Sequence, residues 1–400
     1  MTLRKRLPQG EFVALLAFLF AMVALSIDAM LPALPAIGQA FSPGDPNRAQ
    51  LVLTSFVFGM GIGTLFAGPL SDSFGRKIVI QLGLLLYGAG ALLCYVAPSL
   101  EVLLLARILQ GLGVAAPRIV SLAIARDLYS GREMARIISF AQMIFTTIPA
   151  MAPFIGVGII WLAGWKSIFL VYVIIAAVCA LWFGLRQPET LLAPARQPLV
   201  LKALGRATIE MFKSPSTTVS ILVQSLILGM LFSTLSSIQG IFEQQFDRAS
   251  SFPLWFAIIA LVSMSGSFVN ARVVMTHGMR KMVLYTFVGQ FGISVLMLVL
   301  FGFGLLQPNA AFAAFILWTI GLFAMMGMTM GNLNALALEP LGHIAGLVSS
   351  VMSCIATVVS VILAIPVGLM FDGTNLPLIL GGTVFSGLAL ILVRFGLTEA

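Results

Sequence analysis

The chain has 400 residues, 60% of them apolar and 9% charged, with a mean hydropathy of +1.08 and a formal net charge of +8. Soluble domains carry about 25% charged residues, so this composition excludes an ordinary soluble globular protein. The positive balance does not imply a nucleic-acid partner, because most of the 22 Lys and Arg collect on one side of a series of apolar blocks.

A membrane-spanning helix needs about 20 mostly apolar residues. Twelve blocks qualify, near 12–38, 49–70, 78–97, 102–124, 137–162, 166–185, 218–240, 253–271, 283–305, 310–335, 344–370 and 376–396. Barrel strands would alternate polar and apolar residues over about ten positions, and these blocks do not. The expected fold is an all-α membrane protein of twelve transmembrane helices in two six-helix halves. Residues 1–186 form one half, 187–217 a linker and 218–400 the other.

The first block follows Arg4, Lys5 and Arg6, as a signal peptide would. It is too long for one, lacks a small-x-small cleavage site and ends in a Leu-Pro-Ala-Leu-Pro segment, so it reads as a retained span. Glu11 lies at its inner edge and Asp28 deep inside it. Ionisable groups in lipid cost about 2.5–3.5 kcal/mol at a helix centre and are rarely idle. At 1.5 Å per residue, Asp28 lies roughly 25 Å from the inner end of its span. In the fourth block, Arg107 lies roughly 9 Å from the outer end, in the same outer half. The carboxyl is a candidate proton carrier beside the guanidinium; the alternative is a static Asp–Arg pair fastening two helices. Gln110 and Val114 lie on the Arg107 face, and so does Arg118, eleven residues on. Arg118 either lines a cavity or snorkels to the cytoplasmic interface.

Further polar candidates inside or near spans are Gln142, Gln224, Gln239, Asn270, Gln290, Asn332 and Asn334. Gln142, Gln224 and Gln239 are assigned with Asp28, Arg107, Gln110 and Arg118 to a substrate cavity; such groups also serve simply to join helices. Cys94, Cys179 and Cys354 sit in separate apolar blocks and read as core residues. The polar stretch 186–217 separates six blocks from six, and residues 199–213 fit an amphipathic surface helix or a plain solvated linker. The halves look like faint copies. Gly75-Arg76-Lys77 is echoed by Gly278-Met279-Arg280-Lys281, and Pro153 with Gly156 by Pro366 with Gly368. No phosphate-binding loop or His-Glu-x-x-His motif occurs, so ATP-driven transport, metal chemistry and enzymatic activity are not expected.

Gly68-Pro69-Leu70-Ser71-Asp72-Ser73-Phe74-Gly75-Arg76-Lys77, between the second and third blocks, resembles the signature loop of the major facilitator superfamily. Ser73 stands where that family often has Arg. Three more segments resemble motifs of its drug/proton antiporters: Asp28 to Pro35, Arg107 to Gly113, and Pro149 to Gly156 followed by Gly164 to Phe169. Together they resemble the twelve-span branch that includes bicyclomycin- and chloramphenicol-resistance exporters (Bcr/CflA).

The resemblance implies proton coupling at Asp28 and Arg107. It implies a cytoplasmic gate latched by Gly68, Leu70, Asp72, Gly75, Arg76 and Lys77, and a fifth helix shaped by Pro149, Pro153 and Gly156. The expected function is proton-coupled export of small, largely apolar drugs or toxic compounds. The alternative is a dedicated metabolite transporter, with anionic cargo if both arginines face the cavity. Expected partners are a small-molecule substrate, protons and the lipid bilayer, with no nucleic acid, no cofactor or metal, and one chain as the working unit. The expected location is a bacterial inner membrane with both termini cytoplasmic.

Overall fold

A computed structural model describes residues 7–198 and 201–397; Arg4, Lys5 and Arg6 lie outside the described residues. The side chains of residues 135, 142, 144–146, 201 and 203 are likewise outside the description. The chain divides into two compact units, Met1–Leu201 and Lys202–Ala400.

The first unit contains α1 (Gln9–Asp28), the short α2 (Leu34–Phe41), α3 (Leu51–Phe74), α4 (Arg76–Val96), α5 (Leu100–Leu128), α6 (Gly131–Ala163) and α7 (Ser167–Arg186). The second contains α8 (Leu201–Lys213), α9 (Pro215–Gly240), α10 (Phe252–Ser263), α11 (Ser265–His277), α12 (Met279–Gly302), α13 (Pro308–Leu338), α14 (Ala345–Leu369) and α15 (Leu376–Gly396). Helices are the form in which a backbone in lipid satisfies its own hydrogen bonds.

Among the described residues, ten helical stretches are long and apolar enough to cross a membrane, and one of them, Pro308–Leu369, holds both α13 and α14. The fifth predicted span lies within α6, whose apolar stretch, Thr147–Ala163, is shorter than the rest. Two predicted spans are interrupted helices. The first breaks after Asp28, where the Pro32 ring excludes a continuing helix by clashing with the carbonyl four residues back. The eighth breaks at Met264, between α10 and α11. There the Ser263 hydroxyl leaves its own helix to donate to Ile320 O at 3.1 Å.

In the first unit α5 packs between α3 and α4, while α1 lies on α6 and α4 on α7. Gly59, Gly63 and Gly111 bring α3 and α5 so close that a Cβ on any of them would meet the opposing backbone. Glu11 holds the start of α1 to the end of α7, accepting two 2.7 Å bonds from Arg186 and one from Trp182. In the second unit α9 packs against α13, α14 and α15, and α12 against α13 and α15.

The repeat read from the sequence has a shared geometry. Gly75 (φ +106°) and Gly278 (φ +81°) both occupy the left-handed region, each joining one helix to the next. An L side chain is strained there. Residues 201–213 are helical, with Leu204, Ala207 and Met211 buried along one face and Lys202, Arg206 and Lys213 exposed.

Candidate functional site

The site begins where α1 stops. A helix end leaves its last carbonyls without intrahelical donors. Ala29 N–H still bonds Leu25 O, but Met30 N–H turns to Ile27 O. The Leu25 carbonyl also accepts from the Tyr172 hydroxyl on α7 at 2.9 Å. The Ser26 carbonyl accepts from Arg107 Nη2 on α5 at 2.9 Å. Proline thus creates an acceptor at membrane depth, and an arginine from another helix fills it.

Arg107 is completely buried. Its Nε donates to Val52 O at 3.1 Å and its Nη1 to Gln110 Oε1 at 2.7 Å, and the guanidinium lies 4.3 Å from the centre of the Phe56 ring. Buried charge is tolerated when its donors are met by oxygens. Ser26 Oγ lies 2.6 Å from the Tyr87 hydroxyl, so α1, α3, α4, α5 and α7 meet in one polar layer.

Asp28 ends α1 beside this layer and is 5% exposed. Among the described residues its carboxylate has no hydrogen bond and no ion pair. The static Asp28–Arg107 fastening read as an alternative is therefore absent: the guanidinium bonds the α1 backbone two residues earlier instead. Gly156 on α6 is buried against the next residue, and a Cβ there would overlap Ala29 O. Pro149 and Pro153 lie within the same helix.

The remaining candidates are dispersed. Arg118 Nη1 lies 3.6 Å from the Met60 sulfur, a weak acceptor. Gln142 is on α6, but its side chain is outside the described residues. Gln224 and Gln239, both on α9, belong to the other unit. Gln224 Nε2 contacts the Met352 sulfur at 3.8 Å, and Gln239 Oε1 is buried without a partner among the described residues. Asn332 donates to Asn270 at 2.8 Å, joining α13 to α11. Gln290 Nε2 and Trp318 Nε1 both donate to Ser294 Oγ, joining α12 to α13.

The signature loop is the other polar cluster of the first unit. Arg76 bonds the carboxylates of Asp72 and Asp127 and the hydroxyl of Ser71. Lys77 Nζ donates to Gly184 O at 2.6 Å, at the end of α7. The group at the N-terminus of α4 is Glu189, from the segment expected to be a linker. Its oxygens accept from the backbone N–H groups of Arg76 and Lys77, each at 3.0 Å, and of Thr190 and Leu191. Partial burial works against its charge, but these N–H groups prevail and hold its carboxyl below the usual glutamate range. Thr190 donates to Asp127 at 2.8 Å, and Gln197 N–H to Asp72 O. The segment after α7 is therefore docked on the loop through Glu189, Thr190 and Gln197. The one signal in the sequence was a carboxylate directly after a span, and only its contacts give it a partner.

The sequence profile of the Major Facilitator Superfamily matches residues 16–365. A transporter of Bacillus subtilis (strain 168), YdgK, described only as MFS-type, is 29% identical over 98% of this chain and 97% of its own. A bicyclomycin resistance protein homolog of Haemophilus influenzae is 29% identical over 92% of this chain and 91% of its own. A chloramphenicol resistance protein of Pseudomonas aeruginosa is 35% identical over 42% of this chain and 41% of its own. Among solved structures, a D-xylose–proton symporter superposes with a TM-score of 0.74 at 14% identity, covering 98% of both chains.

Proposed function

Because the chain belongs to the Major Facilitator Superfamily, we propose that it is a proton-coupled exporter of small, largely apolar toxic compounds. It works in a bacterial inner membrane with both termini in the cytoplasm. The likeness to bicyclomycin- and chloramphenicol-resistance proteins supports the substrate class. The observation that carries the coupling is Asp28, a carboxyl deep in a span, at a helix end, with the Arg107 guanidinium committed to other oxygens.

An acid locked in an ion pair would be held in one protonation state. Asp28 is not locked, so it can take up a proton from outside and release it inside as substrate moves the other way. One charge crossing the membrane is worth about 2.3 kcal/mol per 100 mV, which drives export without ATP. Arg107 holds the α1 break in place through the Ser26 carbonyl. The substrate leaves chemically unchanged, and the protein needs no cofactor beyond the proton gradient. The Glu189–Arg76–Asp127 cluster is the cytoplasmic latch of the first unit, and one chain is the working unit.

The test is efflux from everted vesicles energised by a pH gradient. Asp28→Asn should abolish gradient-driven transport while leaving substrate binding to the purified protein measurable. Undiminished transport by that variant would remove Asp28 from the mechanism.

A further inference from the structure

α5 carries two guanidiniums in its interior, eleven residues apart, so three turns and about 16 Å separate them on one helix face. The structure treats them differently. Each of the Arg107 nitrogens donates to an oxygen, and the residue is sealed from solvent. Arg118 is partly exposed, and the one hydrogen-bond partner of its guanidinium among the described residues is the thioether of Met60. The Ser121 hydroxyl, one turn on, is turned back to the Arg118 carbonyl and does not serve the guanidinium.

Snorkelling does not account for this side chain. Helical side chains lean toward the N-terminus of their helix, and for Arg118 that is away from the signature-loop end. Met60 sits fourteen residues before that end of α3, about 21 Å, whereas Arg118 sits ten residues before that end of α5, about 15 Å. The guanidinium therefore reaches inward, to the thioether of a buried methionine, and not toward the signature-loop end of its helix. An arginine keeps its charge at any working pH, and its fork of donors matches a carboxylate in two parallel bonds.

We propose that Arg118 selects for substrates that join an apolar body to a single carboxylate, the fork taking the anion beside the Met60 side chain. This rests on the export reading, and it narrows the substrate class: the guanidinium lies on the cytoplasmic side of the Arg107 layer, where cargo enters. A neutral isostere leaves the fork unpaired and is disfavoured, and a cation is repelled.

The experiment compares 1-naphthoate with 1-naphthamide. Binding to the purified full-length protein is followed by fluorescence without any pH gradient, and transport is followed in everted vesicles with one. The wild type should bind the carboxylate at least tenfold more tightly than the amide. Arg118→Gln should lower that ratio about tenfold, and Arg118→Lys should keep part of it. Met60→Glu, which supplies the guanidinium with a resident carboxylate, should lower it as Gln does. A wild type without preference, or an Arg118→Gln protein of unchanged ratio, overturns the proposal, and the first needs no variant to fold. If binding selectivity holds while transport ignores the gradient, proton coupling falls and the Arg118 assignment stands. If transport is gradient-driven and unselective, the reverse is true.

Discussion

Arg107 and Arg118 show how one residue type acquires two roles on one helix. The difference is the set of acceptors each finds: two backbone carbonyls and an amide oxygen for the first, a sulfur for the second. Replacing Arg107 by Lys keeps the charge but cannot reach three separated acceptors. Hydrogen bonds to charged groups are worth about 1.5–3 kcal/mol each. Arg107→Lys should therefore lower the melting temperature of the purified protein and impair transport, with no gain at altered pH. Glu189 makes a second prediction at this scale. Its folded carboxyl lies below its ordinary value of 4.5. The stability it contributes is thus present above that value and is lost as pH falls through the depressed one. Glu189→Gln should destabilise the protein by about 1–2 kcal/mol at neutral pH. The gap between variant and wild type should close as pH falls below 4.5. A constant gap would show that the carboxylate charge is not what holds the α4 start. Asp28 and both arginines were legible as residues out of place in lipid. Glu189 and Asp127 were not, because charges in polar segments look alike until their partners are known.

Among the helices, the informative features are interruptions. α1 stops at Asp28 because Pro32 follows, and the orphaned carbonyls there recruit Tyr172 and Arg107. α6 approaches that break through Gly156, whose missing side chain lets Ala29 O come within contact. A branched side chain has nowhere to go at such an interface and typically costs about 1–3 kcal/mol. Gly156→Val should push α6 away from the α1 break and abolish transport while the protein still inserts in the membrane. Retained transport would mean the close approach is dispensable. Hydropathy found the apolar blocks but read through both breaks, since Leu, Ala and Pro within 31–35, and Ser263 to Gly266, change hydropathy little. The prolines carried the signal for the first break. The second depended on Ser263 finding the Ile320 carbonyl on α13.

For the whole molecule, the two units repeat one device, a positive-φ glycine followed by a basic pair at a helix junction. The proposed orientation makes a direct prediction. A cysteine introduced at Ser99, in the turn between α4 and α5, should react with an impermeant thiol reagent on intact cells. One introduced at Pro194 should react only after permeabilisation. The opposite pattern would invert the orientation and with it the direction of transport.

The sequence alone determined that this is a membrane protein of two helical halves, and where its charges fall, because burial in lipid is decided locally by apolar length and by the cost of charge. Only the tertiary structure decided which charges are satisfied. It gave Arg107 to the α1 carbonyl, left Asp28 without a counter-ion, aimed Arg118 at a sulfur and docked Glu189 on α4. Those outcomes depend on which groups far apart in the chain come into contact, and no local pattern carries that information.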